Sequence, residues 1–295
     1  VEAGLLQTVL EFYERFAEQN ATDPKLKFEA AEAYARVADT QARLGENEKA
    51  LDAHRRAIAV FAALETEFPA EPRYSLARVR AELHWAGRAL TTGDLDQGRA
   101  SAETAAGAAA ELAARDPAGA DFVELEVQAQ GLLAAIAERA DKPLVAESHY
   151  RNAIKLQQKL LDRTSADPRR ANRWLEDLVE LDRALVGLLL AQSRASDAKS
   201  VVEHSIAALE SRRPVGRGGP LLAEQYEQLA EVLTLSGETA AAGQARSRSD
   251  ELRRPRREGP PRPGDPPPRD RAPRRDPPQR ERPRPDDPPP PRRGI

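Results

Sequence analysis

The chain has no cysteine and no methionine among its 295 residues, and aromatic residues make up only 4% of it. Without cysteine there is no disulfide, no thiolate metal site and no cysteine nucleophile. The longest stretch free of charge, Val127 to Ala137, is eleven residues. A membrane-spanning helix needs about twenty. Glu2 is acidic and no basic run precedes an apolar one, so the pattern of a secretory signal is missing. The lack of a membrane span and of a signal pattern sets the expectation of a cytoplasmic location. Glycine-rich phosphate loops of the Walker or Rossmann kind are absent. The one glycine cluster, Val215 to Pro220, reads as a loop between helices. The four histidines, His54, His84, His149 and His204, show neither His-x-x-x-His nor Glu-x-x-x-His spacing. The sequence therefore predicts no metal site, no cofactor and no enzymatic centre. Carboxylate neighbours such as Glu176 and Asp177 read as a solvated helix face. Trp85 and Trp174 read as core residues.

Charge is unevenly divided. The net charge is −3. From Arg253 to Ile295 there are 14 arginines, 7 acids and 16 of the 24 prolines, a surplus of +7. The body, residues 1–252, keeps 31 basic and 41 acidic residues, a balance of −10. The tail has no aromatic residue. Such a segment cannot bury enough apolar surface to offset chain entropy, so residues 253–295 are expected to be disordered and Pro/Arg-rich. Pro260-Pro261-Arg262-Pro263 and Pro263-Gly264-Asp265-Pro266 fit P-x-x-P, which makes an SH3-like groove a possible partner for the tail. The arginine pairs at Arg253-Arg254 and Arg256-Arg257 give a second reading, a nucleic-acid-associated regulator acting through the tail. Nucleic acid is disfavoured as a partner of the acidic body.

What the body does contain is helix signal. Alanine, leucine, glutamate, arginine and glutamine dominate, and β-branched alternation is missing. The fold class is all-α. Leu5, Val9, Phe12, Tyr13 and Phe16 form one apolar stripe at helical period. That stripe ends at Asp23-Pro24, a strong helix start: the carboxylate caps free N–H groups and proline occupies the first helical position. Asp116-Pro117 and Asp167-Pro168 repeat the signal, and Glu71-Pro72 is a weaker form. A small residue recurs at Ala50, Gly98, Ala146, Ala198 and Ala242, in steps of 48, 48, 52 and 44. Ahead of each small residue stands a turn position, held by Gly45, Gly93, Asp141, Ser193 and Gly237. Ala109, in an alanine run, has no assigned contact.

Tyr34, Val37, Ala38, Gln41, Gly45, Ala50, His54 and Ala57 follow the order of the tetratricopeptide repeat (TPR), which this chain resembles. Gln41 and His54 stand where that family usually has aromatics. Tyr226, Leu229, Ala230, Leu233, Gly237 and Ala242 repeat the order at the other end. The usual period is about 34 residues, so helices here should be longer, roughly twenty residues each. The resemblance implies a TPR-like α-solenoid, a right-handed superhelix of about five antiparallel helix pairs. The pairs fall near residues 24–68, 72–116, 117–166, 168–212 and 219–252, with an orphan N-terminal helix before them. The missing methionine and that unpartnered first helix suggest a piece of a longer protein.

The resemblance also implies function. In the family the first helices line a concave groove that holds a peptide or partner protein. Carried over, the groove positions include Asp39, Arg80, Leu83, Gln128, Arg183, Glu224, Glu227 and Glu231. Ala35 and Asp39 stand where the family's carboxylate-clamp Lys and Asn would be. A basic or amphipathic peptide therefore fits better than an acidic tail. The long repeats are similar to repeat regions of bacterial multi-domain signalling proteins such as Ser/Thr protein kinases. The implied role is a protein–protein interaction scaffold, a regulatory region of a larger signalling protein.

Overall fold

The structure is a computed structural model that describes residues 23–116, 119–163, 167–212 and 218–254. The chain divides into two units, Val1–Arg254 and Pro255–Ile295. The stripe at Leu5–Phe16, the start of the Val215–Pro220 cluster and the whole Pro/Arg-rich segment from Pro255 lie outside the described residues.

Among the described residues there are ten helices and no strand. They are α1 (Pro24–Arg43), α2 (Asn47–Glu67), α3 (Pro72–Thr92), α4 (Leu95–Arg115) and α5 (Asp121–Arg139). Then come α6 (Pro143–Leu161), α7 (Pro168–Ala191), α8 (Ala195–Arg212), α9 (Gly218–Leu235) and α10 (Thr239–Arg253). Each helix packs on the next in sequence, and the contact is most extensive within the pairs α1/α2, α5/α6 and α9/α10. The longest helix has 24 residues and the shortest 15.

The helix starts follow their caps. Asp23 Oδ1 accepts from the Lys25 and Leu26 amides at 2.8 and 3.4 Å, and Pro24 follows at the first helical position. Asp167 Oδ1 accepts from the Arg169 amide at 2.9 Å, ahead of Pro168. Each bond satisfies an amide that the first helical turn leaves without a partner. Glu71 precedes Pro72 with no side-chain cap bond. Asp116 departs from the expectation. It closes α4, and its carboxylate accepts from the Gly119 amide at 3.0 Å. The next helix, α5, starts at Asp121.

The turn inside each pair has one left-handed residue. These are Gly45 (φ 80°), Gly93 (φ 89°), Asp141 (φ 56°), Ser193 (φ 60°) and Gly237 (φ 79°). The carbonyls left open at a helix end are met when the chain reverses through this conformation. After Leu44, for example, the Gly45 and Glu46 amides donate to Ala42 and Gln41 at 3.1 and 2.9 Å.

Close helix approach depends on the small residues. Ala50, Ala146, Ala198 and Ala242 are all at most 1% exposed. Gly98 shows how little room there is. A Cβ there would lie 3.0 Å from the Ala89 Cβ and 3.3 Å from the Ala86 carbonyl oxygen. Anything larger forces the α3 and α4 axes apart. Ala109 is a correction to the sequence reading. It is fully buried, in an apolar cluster with Val79, Leu83, Ala105 and Phe122.

One apolar cluster runs through three pairs: Ala134 of α5, Ala146 and Tyr150 of α6, Leu185 and Leu189 of α7, Val202 of α8 and Val232 of α9. No pair covers its own apolar face, so stacking completes the core. Polar ties reinforce the joints. Gln157 of α6 donates to the Trp174 carbonyl of α7 at 2.6 Å, and Ser249 of α10 donates to the Ala223 carbonyl of α9 at 2.7 Å. First helices of successive pairs also touch, α3 with α5 and α7 with α9.

Candidate partner-binding groove

The odd-numbered helices supply most of the walls of three cavities. The first, of about 360 Å³, lies between α1 and α3 with α2 at its floor. Glu32, Ala35 and Asp39 face Arg80 and His84 across it, and Phe28, Phe61, Leu76 and Ala77 give it an apolar side. The second, of about 260 Å³, joins Glu124, Gln128 and Gly131 of α5 to Arg173, Asp177 and Glu180 of α7, over Tyr150 and Gln157 of α6. The third, of about 400 Å³, joins Glu176, Glu180 and Arg183 of α7 to Pro220, Leu221 and Glu224 of α9.

The structure therefore brings Asp39 to Arg80 in the first cavity and Arg183 to Glu224 in the third, and places Gln128 in the second. Arg183 and Glu224 form an ion pair. Glu227 and Glu231 are exposed on α9. Leu83 is different. It is 7% exposed and packs with Val79, Ala105 and, from the next pair, Phe122, Leu125 and Ala129. A leucine at this position is covered by the incoming α5, whereas the short Ala35 and the long, charged Arg183 at equivalent positions stay at the surface. Leu83 is a core residue and not part of the groove.

The middle of this surface is acidic, and its acids feel one another. Burial, and then the Glu180 and Glu124 carboxylates beside it, push the Asp177 carboxyl up to about 6. The expectation of a solvated Glu176–Asp177 face fails at Asp177, which is half-buried between α5 and α7. Burial also raises Glu126 on α5. Cations nearby are partly committed. Arg170 binds Asp121 and also Glu124, the latter at 2.7 Å, and lies 5.4 Å from the Trp174 ring centre. The indole N–H of Trp174 donates to the same Glu124 carboxylate. Trp174 is 3% exposed and belongs to the core, as the sequence implies.

Sequence spacing missed one assembly. Asp39, His54 and His84 come from three helices and converge at the first cavity. His54 Nε2 is 3.7 Å and His84 Nδ1 3.0 Å from Asp39 Oδ1. The His54 ring sits 6.1 Å from the His84 ring and 5.9 Å from that of Trp85. Burial lowers His54 to about 4, against the opposing pull of Asp39. A fourth cavity, of about 370 Å³, is lined by α6 and α8 with Asp182 and Leu185 of α7, and holds Arg151, Lys155 and His204.

No protein-family model matches the sequence, and neither does any curated protein. Solved structures do match the fold. BtubC (BKLC) from P. vanneervenii superposes with a TM-score of 0.59 at 19% identity, covering 86% of this chain and 93% of that one. A protein described as a kinesin light chain with nearly identical TPR-like repeats, from Podosopora anserina, gives a TM-score of 0.51 at 15% identity. That match covers 75% of this chain and 93% of the other. The fold is a TPR-like helical-repeat solenoid, with its ten described helices packed in consecutive pairs. Among the described residues, no helix is long and apolar enough to cross a membrane.

Proposed function

We propose that this chain is a protein-interaction scaffold whose groove, along α5, α7 and α9, takes a basic, amphipathic peptide segment of a partner protein. The observation that carries the reading is the linked pair of acidic cavities that share Glu180, one with Asp177 and Glu124, the other with Glu176 and Glu224. The raised Asp177 supports it, because a site that crowds carboxylates gains by receiving a cation. Half-buried apolar side chains at Leu181 and Leu221 in the same walls suit the apolar face of such a peptide. The crowded acids repel phosphate backbones and weigh against nucleic acid in this groove. The likeness of the long repeats to those of bacterial signalling proteins is the basis for reading the scaffold as a regulatory region of a larger cytoplasmic protein.

Fluorescence anisotropy tests this with two labelled amphipathic peptides of one length, Lys/Arg-rich and Asp/Glu-rich. The basic peptide should bind, more weakly as salt rises. Replacing Glu180, Glu227 and Glu231 together by Gln should weaken it at least tenfold. Equal binding of the two peptides, or indifference to the triple substitution, would overturn the proposal.

A further inference from the structure

Three side chains that are remote in sequence meet at the α1–α3 end of the groove: Asp39 on α1, His54 on α2 and His84 on α3. Their nearest donor atoms, one from each residue, all lie within 4.8 Å of one another. His54 is 1% exposed, yet neither ring nitrogen makes a hydrogen bond, and Asp39 Oδ1 makes none of good geometry. Buried polar groups in folded proteins nearly always have a partner, so a buried imidazole with neither nitrogen satisfied calls for one. This imidazole is held in place by the Trp85 ring on one side and faces a cavity of about 360 Å³.

We propose that Asp39 Oδ1, His54 Nε2 and His84 Nδ1 form a site for a zinc-type divalent cation, with a fourth position open to the cavity.

Two imidazoles and one carboxylate form a donor set suited to Zn²⁺, and three protein ligands plus an open position is a common arrangement for that ion. The geometry is close to what the ion needs. With metal–ligand bonds near 2.0–2.1 Å, the donors of a tetrahedral site stand about 3.3 Å apart. The Asp39–His84 and Asp39–His54 edges, 3.0 and 3.7 Å, bracket that value. The third edge closes by a small movement of His84, whose side chain is 63% exposed and able to turn, while His54 stays fixed. The metal would satisfy one of the two orphaned nitrogens of His54 and the orphaned oxygen of Asp39 in one step. Arg36 and Arg80 on the cavity wall oppose a cation, and Glu32, 4.0 Å from Arg36, offsets part of that. The open position faces the cavity, where water or a donor atom of a bound ligand completes the shell. Hard cations such as Mg²⁺ prefer all-oxygen shells and are poorly served here.

The test uses the full chain, stripped with a chelator and dialysed. Calorimetric titration with Zn²⁺ should show one equivalent bound, and Co²⁺ should give the visible absorption of a four-coordinate ion that Zn²⁺ then displaces. Zn²⁺ should also raise the melting temperature. His84→Ala, at an exposed position that leaves the core intact, should weaken binding at least tenfold, as should Asp39→Asn. His204→Ala, remote from the cluster and exposed, should change nothing. No binding to the wild-type chain, or binding that His84→Ala leaves unchanged, overturns the site. None of the three readouts involves a peptide, so this result stands apart from the proposed partner binding.

Discussion

Asp141 and Ser193 hold, at φ 56° and 60°, the left-handed turn position that glycine fills in the other three helix pairs. Left-handed backbone brings Cβ too close to the following carbonyl oxygen and costs an L-residue roughly 1–2 kcal/mol, less for aspartate, whose side chain tolerates the region. Glycine escapes that strain but loses more freedom on folding. Ser193→Gly should therefore stabilise the chain by about 0.5–1 kcal/mol, and Asp141→Gly by less. Urea unfolding followed by circular dichroism measures both. A lower midpoint for Ser193→Gly than for wild type would mean that the serine is not strained in this turn.

The alanines between helices make a second prediction. Ala146 and Ala109 are both fully buried, the first between α5 and α6, the second against α3 and α5. Leucine at either position overpacks the contact and should cost roughly 1–3 kcal/mol. Ala100→Leu, at an exposed position on α4, should stay within about 0.5 kcal/mol of wild type. Thermal melts of the three variants separate these outcomes. A harmless Ala109→Leu would mean that α4 packs less closely than the structure shows.

The helix pairs are legible in the sequence because their marks are short-range. A capping aspartate, a turn residue and a small residue five positions later recur, so Gly45/Ala50, Asp141/Ala146 and Gly237/Ala242 can be matched by eye. Ala109 was not legible, since an alanine run carries no size contrast and every face of the helix reads alike. Asp116-Pro117 looked like a helix start, but the Asp116 carboxylate is used by the Gly119 amide instead. Leu83 was misplaced because the repeat frame gives the direction of a side chain and not the distance to the next helix, which at this joint covers it. The meeting of Asp39, His54 and His84 has no sequence signature. Spacings of 15 and 30 residues become contacts only when three helix axes are placed.

One carboxylate of α5 meets two side chains of α7. Glu124 accepts from the Trp174 indole and from Arg170. Glu124→Ala leaves a buried indole N–H without an acceptor, which costs about 1–3 kcal/mol. Glu124→Gln keeps a carbonyl acceptor for the indole and should lose less. Tryptophan fluorescence during unfolding, read in a Trp85→Phe background, reports the α5–α7 joint, because Trp174 is buried there. Equal losses in the two variants would show that the charge, through Arg170, matters more than the indole bond.

Asp182 makes the stability of this chain depend on pH in an unusual direction. It is 3% exposed on α7, and burial pushes its carboxyl up to about 7, with the nearby Ser205 hydroxyl a smaller opposing influence. Arg151, Lys155, Asp197 and His204 line the same cavity. The ordinary value for an unfolded aspartate is near 3.9. Between those two values the folded chain holds a proton that the unfolded chain has released. Stability from this residue is therefore greatest at low pH and is lost as pH rises through the folded value, the reverse of a salt-bridged carboxylate. Asp182→Asn removes the titration and keeps the shape. The variant should gain on wild type by roughly 2–3 kcal/mol on going from pH 5 to pH 8. Taking the difference between the two proteins cancels the other titrating groups to first order. Denaturant unfolding at four or five pH values across that range measures it. A difference that stays flat with pH would show that Asp182 is already ionised in the folded chain, held so by Arg151 or Lys155 across the cavity.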